Sequence, residues 1–162
     1  MRVIIDDNSG FCFGVVRAIG EAEAALKRVG EVCSLGDIVH NRVEVQRLEA
    51  LGLRTITHDD ISSMCSSTLL IRAHGEPPST YRLAEEQGVD IIDATCPVVA
   101  RLQRRVREAY QKMKASEGCV VLLGKRGHAE VVGLTGQVDD DVIVVEREED
   151  IEVVDFRKPI YF

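Results

Sequence analysis

Asp93-Ala94-Thr95-Cys96-Pro97 is the stretch that decides the fold. Before it, Val89-Asp90-Ile91-Ile92 is a short apolar run, β-branched at most positions, and reads as a strand. After it, Val99, Leu102, Val106, Ala109 or Tyr110, and Met113 recur every three or four residues, which predicts a helix with one apolar face. Pro97 suits the first helical position, where a missing N–H costs nothing. Cys96 therefore sits where a strand ends and a helix begins. Free backbone N–H groups and the positive end of the helix dipole favour a thiolate there. A thiolate binds a soft metal or attacks an electrophile. The plainer alternative is a small buried residue ahead of a helix, since free Cys is often fully buried.

Outward from this stretch the same grammar repeats. Val3-Ile4-Ile5 predicts a first strand, and Gly10-Phe11-Cys12-Phe13-Gly14 then leads into a helix with Val16, Ile19, Ala22, Leu26 and Val29 on one face. Residues 31–35 predict a strand, and Gly36 to Asn41 lead to a helix carrying Val45, Leu48 and Leu51. Residues 53–57 and 68–72 predict strands ending at His58 and at Ala73-His74-Gly75, and Pro77-Pro78-Ser79 open the next helix. Residues 119–123 predict a strand running into Gly124 to Glu130, followed by a short helix and a strand at 142–145. Strands alternating with helices mean mainly parallel sheets, covered on both faces, in repeated three-layer α/β units. The division falls at Cys96-Pro97, giving a first α/β unit over residues 1–96 and a second over 97–162. The chain stops on the apolar run Ile160-Tyr161-Phe162, which reads as a second unit cut short.

Composition narrows the function. A net charge of −7 and a pI near 5.1 argue against nucleic acid as the main partner. The N-terminus turns acidic too soon for a signal peptide, and no apolar run reaches membrane length, which predicts a cytoplasmic chain and no membrane partner. Five scattered Cys then read as reduced thiols or metal ligands, not as a disulfide framework.

In parallel α/β sheets ligands bind outside the carboxyl ends of the strands. Cys12, His40, His74, Cys96 and His128 all fall at such ends, so the ligand site is expected there, between the two units. His58 also follows a strand, but its neighbours Asp59 and Asp60 look like turn and cap residues, and it reads as a surface histidine. Cys33, Cys65 and Cys119 read as structural thiols. There is no zinc knuckle, no H-E-x-x-H, no complete P-loop and no G-x-G-x-x-G after the first strand. Thiolates with imidazoles suit zinc or an iron–sulfur cluster, and imidazoles with helix N-termini suit a small anion. Glu130, two residues past His128, is placed either to exchange protons or simply to face the helix dipole.

Five ordered motifs make a more specific likeness. Gly10-Phe11-Cys12-Phe13-Gly14-Val15 with Arg17-Ala18, Ile38-Val39-His40-Asn41, Ala73-His74-Gly75, Asp93-Ala94-Thr95-Cys96-Pro97 and Gly127-His128-Ala129-Glu130-Val131 resemble those of the 4-hydroxy-3-methylbut-2-enyl diphosphate reductase family. That family performs the last step of the methylerythritol phosphate route to isoprenoids. The resemblance implies a 4Fe-4S cluster held by three Cys, of which Cys12 and Cys96 are two. It implies that His40, His74 and His128 contact the allylic diphosphate substrate and that Glu130 gives the proton with which hydroxyl leaves as water. It further implies isopentenyl and dimethylallyl diphosphate as products and ferredoxin or flavodoxin as electron donor. Ala129 and Leu134 stand where the family usually has Pro and Thr, with Thr135 one step later. The third Cys and a third α/β unit have no counterpart here, so a fragment inactive on its own is expected. Two other readings remain: a non-catalytic small-anion (diphosphate) binding module, and a zinc-dependent enzyme using Cys12, Cys96 and one His.

Overall fold

The computed structural model describes residues 2–4, 9–64 and 66–162. In chain order the elements are α1 (Phe13–Val29), β1 (Val32–Leu35), α2 (Arg42–Glu49), β2 (Leu53–Ile56), a 3-10 segment at His58–Ser63, β3 (Thr68–Ile71), α3 (Pro78–Glu86), β4 (Asp90–Asp93) and α4 (Pro97–Ala115). There follow β5 (Cys119–Leu123), α5 (Ala129–Thr135), a 3-10 segment at Gly136–Val138, β6 (Ile143–Val145), a 3-10 segment at Glu148–Val153, and β7 (Ile160–Tyr161). The strands form two sheets of order β2-β1-β3-β4 and β6-β5-β7. Every pairing is parallel. This is the α/β class with mainly parallel sheets. All strands of the first sheet precede Cys96 and all those of the second follow it.

Each strand of the first sheet is short, and β1 and β3 are buried throughout, as continuous apolar strands between two helical layers should be. One face packs Val32, Leu53 and Leu70 against Ala18, Ala22, Ala25 and Leu26 of α1 and Val45 and Leu48 of α2. The other packs Cys33, Leu35, Leu69 and Ile71 against Ile61 of the first 3-10 segment and Ala84 of α3. In the second sheet one face meets Val106 of α4 with Leu134 and Val138. Its other face is covered by Val154 after the last 3-10 segment.

Several sequence expectations need correction. Val3 and Ile4 are in no strand and are 71% and 74% exposed; Ile5 lies outside the described residues. A strand needs a ladder partner as well as β-branched residues. The buried stripe of α1 is Gly14, Ala18, Ala22, Ala25 and Leu26, while Val16 and Val29 are exposed. Small residues let the helix approach the sheet closely, and that closeness decides the rotation. Leu51 lies beyond α2 and is exposed. The second face of the second sheet carries no α-helix among the described residues, and Leu123, Val153, Phe156 and Phe162 are exposed.

Candidate active site at the strand ends

The Asp93–Pro97 turn is built by its own side chains. Asp93 Oδ1 accepts from the Thr95 N–H (2.9 Å) and Oδ2 accepts from the Tyr81 hydroxyl (3.1 Å). Burial pushes the Tyr81 phenol up to about 12, so it remains a donor. Backbone bonds from Ala94 to Ile71 (2.9 Å) and from Cys96 to Ala73 (3.0 Å) continue the β3–β4 pairing past the strands. Arg17 of α1 reaches across to the Thr95 carbonyl (2.8 Å) and the Asp93 carbonyl (3.4 Å). Cys96 is thereby fixed at the N-cap of α4, half-buried, and Cys12 occupies the N-cap of α1, exposed. Neither thiol is used in capping. The two helix starts abut, because a side-chain carbon on Gly14 would lie 2.8 Å from Cys96 Sγ.

The three expected histidines come together from both sheets. His40 follows β1, His74 follows β3, and His128 follows β5 as the N-cap of α5. Ring centroids are 5.5 Å apart for His40–His74, 5.6 Å for His74–His128 and 6.5 Å for His40–His128. One nitrogen from each lies within 4.8 Å of the others, close enough to share a metal ion or the oxygens of an anion. Burial, then the charge of Arg72, then the neighbouring imidazoles His40 and His128, lower His74 to about 4, so its ring is neutral at pH 7. His74 Nδ1 and Gln103 Nε2 are buried and find no partner among the described residues. Gly75 has φ +69°, and a side chain there would strike the Gln103 amide at 2.6 Å. That glycine is required for the backbone to pass.

Beside the triad lies an open cavity of about 590 Å³, bordered by His40 and His128 and by His58, Arg72, Glu76 and Lys125. His58 is exposed, as a surface histidine should be, yet its Nε2 lies 2.8 Å from Glu76 Oε2 and its ring borders the cavity. Arg72, Glu76 and Lys125 were not singled out by sequence reading. Only the position of Arg72 at the end of β3 and of Lys125 after β5 could have pointed to them, since Glu76 lies in an ordinary Gly-Glu-Pro-Pro turn. Arg126 also borders the cavity, but Asp150 at 2.9 Å neutralises it.

Glu130 sits in the first turn of α5, and its backbone N–H donates to His128 Nδ1 (3.3 Å). Its carboxylate makes no hydrogen bond or ion pair among the described residues. Thr135 donates to the Val132 carbonyl (3.4 Å) within its own helix. Cys33 is buried inside β1 and Cys119 opens β5, at the end of that strand away from His128. Cys65 lies outside the described residues. Among the described residues no group of three potential metal ligands at this spacing includes a Cys; the three histidines are the group found.

The family described as LytB protein matches over residues 3–162. A protein of Parabacteroides distasonis described as 4-hydroxy-3-methylbut-2-enyl diphosphate reductase is 52% identical over 160 residues, covering 99% of this chain and 55% of its own length. Its namesake from Porphyromonas gingivalis is 51% identical over 157 residues, covering 96% and 54%. Among solved structures, the E-1-hydroxy-2-methyl-but-2-enyl-4-diphosphate reductase of Plasmodium falciparum aligns with a TM-score of 0.81 at 31% identity, covering 95% of this chain and 48% of that one. A structure of (E)-4-hydroxy-3-methyl-but-2-enyl diphosphate reductase, the terminal enzyme of the non-mevalonate pathway, aligns with a TM-score of 0.69 at 37% identity, covering 92% and 52%. The chain spans about half the length of the curated relatives it matches.

Proposed function

The chain belongs to the LytB protein family, and from that premise we propose that it is the N-terminal part of a reductase converting 4-hydroxy-3-methylbut-2-enyl diphosphate to isopentenyl and dimethylallyl diphosphate. The observation that carries this reading is the meeting of His40, His74 and His128 beside a cavity that also holds Arg72 and Lys125. Imidazoles and paired cations are what a diphosphate requires. In this reading residues 1–96 and 97–162 are two α/β units that each contribute one side of the site.

The thiols fit a cluster in part. Cys12 and Cys96 cap adjoining helix starts, and the space over Gly14 is kept free of a side chain. They would hold two corners of a 4Fe-4S cluster; among the described residues no third Cys joins them in a ligand group. When bound, such a cluster supplies electrons one at a time and a Lewis-acidic iron.

The chain's own residues do the rest. His40, His74 and His128 bind and orient the diphosphate, which fixes the hydroxyl end of the substrate near the helix starts. Neutral His74 accepts or donates without bringing a full charge. Glu130 holds a proton on its carboxyl and passes it to the substrate oxygen as the C–O bond breaks, so that hydroxyl leaves as water. Two electrons and two protons enter for each water released. Ferredoxin or flavodoxin is the electron donor in this reading, in the cytoplasm. No helix among the described residues is long and apolar enough to cross a membrane.

The test is an anaerobic preparation of the protein that contains this chain, assayed with a reduced artificial donor. Conversion of the allylic diphosphate is expected, with about four iron and four sulfide per chain. The 162-residue chain alone should turn over little or nothing. A second reading, a small-anion binding module without catalysis, is favoured by Arg72 and Lys125 in the cavity wall. It predicts pyrophosphate binding with neither iron nor sulfide.

A further inference from the structure

His58 and Glu76 stand in the wall of the anion cavity, outside the motifs that carry the proposed reaction. Glu76 is 3% exposed. A carboxylate so placed is costly unless it is paired and hydrogen-bonded. Its partners are His58 Nε2 at 2.8 Å and the Thr80 hydroxyl at 3.3 Å, and its backbone carbonyl is held by Gln137 at 3.2 Å. His58, by contrast, is 51% exposed. The 3-10 segment that carries it is fastened at its start by Asp60, which accepts from the Thr57 N–H (2.8 Å) and hydroxyl (2.6 Å). The ring is thus fixed through Nε2, and Nδ1 is its one remaining polar atom.

The surroundings give that atom a use. Arg126 is occupied by Asp150 and the Val144 carbonyl. Lys125 has no ion pair among the described residues, and Arg72 donates only to the Asp37 carbonyl (3.3 Å). The cavity therefore gathers cations, and Glu76 is the carboxylate in its wall that His58 covers. We propose that His58, fixed by Glu76, is a fourth imidazole of the anion site and donates from Nδ1 to a phosphate oxygen of the diphosphate. In the complex the ring bridges the two, meeting Glu76 through Nε2 and phosphate through Nδ1. Glu76 is a positioning residue that acts through His58. The inference rests on the diphosphate reading and deepens it.

The test is calorimetric titration of this chain with pyrophosphate, with inorganic phosphate as the smaller comparison. His58→Gln keeps an amide donor for Glu76 and so spares the fold, but it removes the second donor. Its Kd for pyrophosphate should rise about tenfold, as loss of one charge-assisted hydrogen bond does. Glu76→Ala should weaken binding to a similar extent, the double variant should be no worse than either single one, and Glu76→Gln should restore the affinity by keeping an acceptor. Wild-type affinity in His58→Gln would reduce the ring to a structural partner of Glu76 and overturn the proposal. Additive losses would show that Glu76 does not act through His58. If Glu76→Ala does not fold, His58→Gln still decides the matter. A wild-type chain without pyrophosphate affinity removes the diphosphate reading and this inference together. Loss of binding in His40→Asn, with none in His58→Gln, removes this inference alone.

Discussion

Gly14, in the first turn of α1, lies so close to Cys96 that a side-chain carbon would stand 2.8 Å from Sγ and 3.0 Å from Cβ. Contacts that short force something to move. Gly14→Ala should therefore displace the Cys96 thiol or part the two helix starts, at a cost of about 1–3 kcal/mol. The melting temperature should fall by several degrees. Iron content after anaerobic reconstitution of the complete protein should fall further than that loss of stability explains.

Arg17 makes the complementary tie, from α1 to the carbonyls of Thr95 and Asp93. Arg17→Ala should cost about 1–2 kcal/mol, typical for a charged donor that is partly solvated. Hydrogen exchange should quicken at Thr95 and Cys96 while β1 stays protected. Arg17→Lys should recover only part of the loss, because one ammonium does not reproduce the planar fork that spans two carbonyls.

The strand-end edge was legible because it follows from period and punctuation. Short β-branched runs ahead of His40, His74, Cys96 and His128 place those residues at strand ends whatever the tertiary detail, whereas Val3 and Ile4 ahead of Cys12 lie in no strand. His40, His74 and His128 do meet there. His58 and Glu76 were not legible, because their pairing spans 18 residues and depends on the burial of Glu76, which no local pattern announces. The rotation of α1 escaped for a related reason. Periodicity marks Val16 as inward, whereas close packing selects the alanine stripe.

His74 gives a pH signature whose sign is fixed. Unfolded, its ring titrates near 6.5; folded, burial and then the nearby positive groups lower it to about 4. Between those values the unfolded chain binds more protons, so this group makes stability rise with pH across the window and leaves it flat above. Urea midpoints measured at intervals from pH 7 to pH 4 should fall more steeply for the wild type than for His74→Asn. Parallel curves for the two proteins would place the acid sensitivity in another group.

Glu130 and Cys96 should separate cleanly when each is replaced in the complete protein. Glu130 has no side-chain partner among the described residues, so Glu130→Gln disturbs no contact of the fold and preserves the shape of the site. What it removes is the carboxyl that the proposed reaction uses as its acid. General acid assistance is worth on the order of a hundred- to ten-thousand-fold, and turnover with a reduced artificial donor should drop within that range. Visible absorbance of the cluster should stay as it was, because neither thiol has been touched. Cys96→Ser keeps a hydroxyl at the N-cap of α4, where Ser is well tolerated, so the helix should remain. The hydroxyl is a poor substitute for a thiolate toward iron, so absorbance and turnover should disappear together. Near-normal turnover in Glu130→Gln would move the proton to another donor, and His128, whose Nδ1 accepts from the Glu130 N–H, is the nearest candidate.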